Sequence, residues 1–306
     1  MSTFGRLLTA MVTPFTSDSK VDHAQACKLA RALINSGSDG IVVSGTTGEG
    51  PALSVDEKLK LFSDIKSAIG NSGTVVAGTG SYDSGTVVVG TGSYDTAGSV
   101  ELTMQAEKTG VDGCLLVVPY YCKPTQEGLY EHFSTIAAAT KLPCILYNVP
   151  SRTVTNLSAE IAIRLSRIDN IVGVKEASAN FGQIADIIQA TEDDFLVYSG
   201  NDSDTLHVLA LGGYGVISVV SHLAGLQIKQ MIDDYLAGRT NEAAAIHRKL
   251  LPLVDSLFVI GNPMPIKYAL NYLGFAVGKP RLPLTEPDGK TRALIEDTLK
   301  QYTIDL

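Results

Sequence analysis

Short apolar runs alternate with helix-like segments along most of this chain, and that alternation constrains the fold more than any other feature. The strand-like runs are Leu7–Thr13 (stopped by Pro14), Gly40–Ser44, one between Gly73 and Gly92, Gly113–Val118, Pro143–Asn148, Ile171–Lys175, Phe195–Ser199 and Gly215–Val220. A helical segment follows each: Val21–Ser36, a capped segment from Ser54 to Ile69, one beginning near Ala97, Gln126–Thr140, Asn156–Arg167, Phe181–Ala190, Asp202–Leu211 and Leu223–Ala237. Ser54 with Glu57 has the spacing of a capping box. Eight such pairs are the period of an α/β fold of the (β/α)8 TIM-barrel type, since a doubly wound sheet usually stops at five or six strands. After Gly238 the strands cease. Asn241–Ile260, Pro263–Leu273 and Thr291–Tyr302 read as helices, so the expected division is a catalytic barrel over 1–238 and a C-terminal helical domain over 239–306.

One segment is repeated. Thr74–Asp83 is followed, after Ser84-Gly85, by the near-copy Thr86–Asp95, and only one can supply the third strand. The second copy runs directly into the helix near Ala97, which favours it. The first follows the preceding helix through a short Gly70–Gly73 turn, which keeps it as a rival.

The chain has 306 residues, 45% of them apolar, with a formal net charge of −8. It can bury a large core, and no affinity for nucleic acid or anionic membranes is expected. Met1–Arg6 lacks a basic segment followed by an apolar one, so no signal peptide is expected. No apolar run reaches membrane-spanning length. Cys27, Cys114, Cys122 and Cys144 lack metal-ligand spacing, and a reducing, cytoplasmic compartment fits them. The five histidines, His23, His132, His207, His222 and His247, are dispersed with none paired at i, i+4, and are expected at surfaces or interfaces. Gly78-Thr79-Gly80 and Gly90-Thr91-Gly92 lack the third glycine and the acidic residue of a dinucleotide site. Neither cofactor nor metal is expected.

Chemistry concentrates at the strand ends. Ile171-Val172-Gly173-Val174 leads into Lys175 as a strand buried on both faces would. A lysine desolvated there favours its neutral amine, a nucleophile toward carbonyl carbon. One strand-end lysine alone is more often a residue that snorkels into water. Three further segments shift that balance. Gly45-Thr46-Thr47-Gly48-Glu49 offers backbone N–H groups and two hydroxyls for an anion. Pro119-Tyr120-Tyr121 brings phenols to the end of the fourth strand. Tyr147-Asn148-Val149-Pro150-Ser151-Arg152 brings a phenol and a guanidinium after the fifth, and arginine grips carboxylates with two prongs. All lie on the face where a parallel barrel builds its active site. An amine nucleophile, phenol acid–base groups and carboxylate binders describe an aldolase acting on a 2-oxo acid.

At this point the sequence resembles the dihydrodipicolinate synthase family, class I pyruvate aldolases related to N-acetylneuraminate lyase. The matching motifs are the segments at 45–49, 119–121 and 147–152, together with Gly173-Val174-Lys175-Glu176-Ala177, Ser199-Gly200-Asn201-Asp202, Gly215-Val216-Ile217-Ser218-Val219 and Asn262-Pro263. The resemblance implies that Lys175 forms an imine with pyruvate, whose enamine attacks the aldehyde of L-aspartate-4-semialdehyde. The product would be (4S)-4-hydroxy-2,3,4,5-tetrahydrodipicolinate, on the route to diaminopimelate and lysine. It further implies that Thr46 and Thr47 hold the pyruvate carboxylate, with backbone groups of Gly200 and Ile217 completing that pocket. Tyr147, Thr47 and Tyr121 would form a proton relay, Tyr121 reaching in from a neighbouring subunit of a homotetramer. Arg152 would bind the semialdehyde's carboxylate, and no cofactor would be needed.

A sister aldolase acting on sugar acids shares the lysine and the Tyr147-type phenol but does not need the Arg152 fork. Cys122, Gly50, His222 and Ala179 depart from the family's usual asparagine, serine, asparagine and glycine. In lysine-inhibited relatives a regulatory cleft carries histidines, which align with Val55 and Lys58, and a serine, which aligns with Gly50. Its asparagine and glutamate align with Tyr94 and Gly98, and only Tyr120 is retained, so weak or absent inhibition by lysine is expected.

Overall fold

β-Branched and leucine-rich runs form eight short parallel strands because both of their faces are covered. A computed structural model describes residues 4–70 and 86–306. The strands are β1 Leu7–Ala10, β2 Gly40–Val43, β3 Thr86–Gly90, β4 Gly113–Val117, β5 Cys144–Asn148, β6 Ile171–Glu176, β7 Leu196–Ser199 and β8 Gly215–Ser218. Each pairs with the next, and β8 pairs with β1 through Ile217 opposite Leu8, which closes the barrel. The expected (β/α)8 architecture is therefore present. β3 is the second copy of the repeated segment, paired with β2 through Val88 opposite Val42 and with β4 through Val88 opposite Gly113. The first copy, Thr74–Asp83, lies outside the described residues.

The helices are α1 His23–Asn35, α2 Val55–Ile69, α3 Thr96–Glu107, α4 Gln126–Ala138, α5 Pro150–Thr153, α6 Ala159–Leu165, α7 Phe181–Ala190, α8 Thr205–Ala210, α9 Ser221–Leu236, α10 Thr240–Phe258, α11 Met264–Tyr272 and α12 Gly289–Leu299. Local chemistry sets their starts. Asp22 accepts from the Gln25 N–H ahead of α1. Both bonds of the Ser54–Glu57 capping box are made. The helix expected over Asn156–Arg167 divides differently. Pro150 opens the extra turn α5, left-handed Val154 ends it, and the Ser158 hydroxyl caps a shorter α6. Among the described residues no helix is long and apolar enough to cross a membrane.

Two layers of core result. Leu8, Val42, Leu115, Ile145, Leu196 and Ile217 fill the barrel, while a larger cluster that includes Leu29, Phe62, Phe133, Ile161 and Leu223 lies between strands and helices. Cys114 and Cys144 sit opposite each other on β4 and β5, buried and unpaired. The C-terminal helices are not remote from the barrel: α10 packs along α9, and α11 and α12 pack on α10.

Three histidines expected at surfaces are buried instead: His132, His222 and His247. His132 pairs its Nδ1 with the Thr96 hydroxyl (2.9 Å), and the Nε2 atoms of His132 and His247 are buried with no partner among the described residues; only His222 has both ring nitrogens satisfied. His222 is fully covered, accepts the Val12 N–H at Nε2 (3.2 Å) and donates from Nδ1 to the Val219 carbonyl (2.7 Å). This stitches the ends of β1 and β8 and requires the neutral ring. Burial pushes its pKa down from 6.5 to about 4. Between those values the unfolded chain binds the proton more tightly, so stability falls as pH drops from 6.5 toward 4. We expect His222 to account for a loss of about 2 kcal/mol between pH 7 and pH 5. Urea unfolding at both pH values should show a smaller difference for His222→Asn; an unchanged difference would assign the acid sensitivity elsewhere.

Candidate active site

The register of β5, β6 and β7 builds the centre. Tyr147 lies opposite Lys175, and Lys175 opposite Tyr198. Side chains alternate along a strand, so the next pair, Asn148 opposite Glu176, faces the other way. Tyr147 and Lys175 point into the barrel. Outside it, the Glu176 carboxylate accepts from Asn148 Nδ2 (3.0 Å), Gln183 Nε2 (2.8 Å) and the Ser178 N–H (2.9 Å). That outer network locks the strand end that carries Lys175.

Lys175 is 5% exposed, and its Nζ sits 4.4 Å from the centre of the Tyr147 ring. Burial lowers its pKa to about 8, against the pull of the Asp202 carboxylate and with help from Arg152. Asp202 is held at the end of β7 by the Ser218 hydroxyl and by the Val219 N–H (3.0 Å). Burial also raises the Tyr147 phenol above its usual range. A cavity of about 130 Å³ is bordered by Thr46, Thr47, Tyr147, Arg152, Lys175, Gly200 and Asn262. Gly200 is required there: an added Cβ would lie 2.6 Å from the Ala177 Cβ and 3.0 Å from the Glu176 carbonyl oxygen.

The structure thus gathers Thr46, Thr47, Tyr147, Arg152, Lys175 and Gly200 around one space. Ile217 lies in the apolar packing inside the barrel, beside Tyr147 and Ala177. Tyr121 does not join them. It is 91% exposed, with left-handed backbone at φ 74°, and projects from the chain. The Thr46 side chain lies near enough to the Tyr147 phenol to lower its pKa against the effect of burial. Thr47 Oγ1 instead accepts from Asn262 Nδ2 at 2.8 Å. The left-handed residues Ser44 and Glu49 bracket this loop. A second cavity, of about 420 Å³, shares Thr46, Tyr147 and Arg152 and extends to Gly50, Val55, Lys58, Gly98 and Tyr120.

Sequence reasoning assigned no role to the residues that hold the threonine loop. Lys267 Nζ donates to Glu49 Oε1 (2.7 Å) and to the Thr13 carbonyl (2.9 Å), and stands over the Phe15 ring. The Arg281 N–H donates to the other Glu49 oxygen (2.8 Å), and its guanidinium grips Glu57. Arg281 holds the Glu57 carboxyl down at about 2. The Thr13 hydroxyl donates to the Gly48 carbonyl (2.6 Å). The available signal was a lysine set within the apolar helix Met264–Tyr272.

A closed parallel barrel with a desolvated amine, a phenol and hydroxyls at its C-terminal mouth is the architecture of a (β/α)8 lyase. The chain belongs to the Dihydrodipicolinate synthetase family, whose sequence model matches residues 3–87 and 82–302. The two matches overlap within the repeated segment. A 4-hydroxy-tetrahydrodipicolinate synthase of Dehalococcoides mccartyi strain 195 is 62% identical, covering 100% of this chain and 99% of the relative. The crystal structure of dihydrodipicolinate synthase from Cyanidioschyzon merolae with lysine bound is 43% identical, with a TM-score of 0.93 over 98% of this chain and 99% of that one. A monomeric dihydrodipicolinate synthase variant is 40% identical, with a TM-score of 0.91 over 97% of this chain and 96% of that one.

Glu49 and Lys267 have side chains only 1% exposed. Removing one partner of such a pair strands a buried charge. Lys267→Met is therefore expected to destabilise the fold by about 3–5 kcal/mol. Adding Glu49→Gln should recover most of that loss, as read from urea midpoints. A single variant as stable as the parent would show that the pair does not hold the loop.

Proposed function

We propose that this chain carries 4-hydroxy-tetrahydrodipicolinate synthase activity, condensing pyruvate with L-aspartate-4-semialdehyde through an imine on Lys175. The observation that carries the reading is the buried Lys175 amine, lowered to about 8, facing Tyr147 in a small cavity lined by hydroxyls. The neutral amine adds to the keto carbon of pyruvate, and loss of water gives the iminium. Loss of a methyl proton then gives an enamine, whose carbon attacks the aldehyde. Protons pass through the Tyr147 phenol and the threonine hydroxyls that share its cavity. Thr47 faces the pyruvate carboxylate, with backbone groups of Gly200 and Ile217 closing the pocket. In this reading Tyr121, unused by its own chain, serves the relay of a neighbouring copy in a homotetramer. A monomeric relative makes that arrangement a question for solution sizing.

Arg152 separates this reading from a sugar-acid aldolase. It stands exposed at the rim of the same cavity, where a second carboxylate would arrive. The four cysteines are all unpaired, in keeping with a cytoplasmic location. In the second cavity stands Lys58, at a position where the resemblance gives lysine-inhibited relatives a histidine. A cationic amino acid is disfavoured there. Initial rates should therefore be unchanged by millimolar lysine, whereas saturable inhibition would require a differently built site.

Borohydride reduction with pyruvate, followed by peptide mapping, should label Lys175. Labelling of another lysine, or of none, would end the reading. The trapping rate should rise with pH through about 8 and then level, because the neutral amine is the reactive form. Arg152→Ala should keep the adduct and move that rise to higher pH, since a nearby cation is removed. It should lower semialdehyde turnover about tenfold or more, the loss of a charge-assisted contact of about 1.5–3 kcal/mol. An equal loss in trapping would make Arg152 structural instead.

A further inference from the structure

Asn262 lies between α10 and α11, far along the chain from the barrel strands, yet its amide reaches the barrel mouth. It is 7% exposed, and Thr47 is 3% exposed. Its Nδ2 donates to Thr47 Oγ1 at 2.8 Å, while its Oδ1 is buried with no partner among the described residues. Both residues border the cavity that contains Lys175.

A threonine hydroxyl has one proton to give and two lone pairs to receive with. With one lone pair taken by the amide, the O–H remains to be placed, and among the described residues no protein acceptor takes it. The backbone beneath cannot turn to help, because Thr13 holds Gly48, and Lys267 and Arg281 hold Glu49. Rotation of the hydroxyl is the freedom that remains, and the amide restricts it. We propose that Asn262 is a positioning residue that fixes the Thr47 hydroxyl as a donor toward the carboxylate of the bound 2-oxo acid. The chain from amide N–H through hydroxyl to carboxylate polarises each bond in turn. This rests on the pyruvate reading above.

The reversed arrangement supplies the test. In Asn262→Asp the side chain can only accept, so the Thr47 proton turns away from the cavity and a negative charge is added beside it. Pyruvate KM is expected to rise about tenfold in Asn262→Ala and about a hundredfold in Asn262→Asp, with the semialdehyde KM within about twofold of the parent. In a Thr47→Val background, Asn262→Ala should cost no more, because the hydroxyl it orients is gone. Losses that add across the two sites, an Asn262→Asp enzyme no worse than Asn262→Ala, or equal rises in both KM values would each overturn the proposal. Should Asn262→Asp fail to fold, the alanine variant in the two Thr47 backgrounds decides alone. If the parent enzyme forms no pyruvate adduct on Lys175, the functional reading fails and this proposal with it. If it does and the losses add, only the role of Asn262 falls.

Discussion

Water is kept from one amine, and the rest of the site depends on that. Lys175 ends a strand enclosed on both sides by β5 and β7, and Ala10, Val42, Leu115, Val149 and Val219 border its cavity. Desolvation outweighs the attraction of Asp202, so the amine gives up its proton at about 8 rather than in the usual lysine range. The balance is possible because Asp202 is occupied. Its oxygens already accept from Ser218 and from two backbone N–H groups at the end of β8. A carboxylate satisfied in this way polarises the pocket without taking the lysine into an ion pair.

The second constraint is ionic. Glu49 and Lys267 join a loop at the barrel mouth to a helix beyond the last strand, and neither side chain reaches solvent. Arg281 extends the link to Glu57, the same carboxylate that closes the capping box of α2. One set of charges thus fixes the start of a helix, the loop before it and the connection before α12. The C-terminal helices reach the cavity mouth through this set and through Asn262.

Much of this was legible in the sequence. The alternation of apolar strands with helical segments gave the barrel, the glycine-containing apolar run located Lys175, and the spacing to Ala97 chose Thr86–Gly90 as the third strand. Other features were hidden for physical reasons. Thr46 and Thr47 are chemically equivalent in a sequence; that Thr47 is the one met by the Asn262 amide depends on a loop bracketed by left-handed Ser44 and Glu49, residues that do not announce such backbone. Buried His222 was hidden because its partners are backbone groups. Val12 and Val219, which hold His222, carry no polar side chain to signal it. Ala179 was noted as a departure from glycine, and its φ of 56° shows why glycine is usual there.

The reach of Asn262, Lys267 and Arg281 back over the barrel also orders events in time. A ribosome releases Lys175 and its neighbouring strands well before it releases these three residues. Until they arrive, Glu49 has no cation, Thr47 no amide, and the loop between β2 and α2 no anchor at its far side. Lys175 is thus made early but given its surroundings late, and the cavity around it is complete only with the final tenth of translation or so.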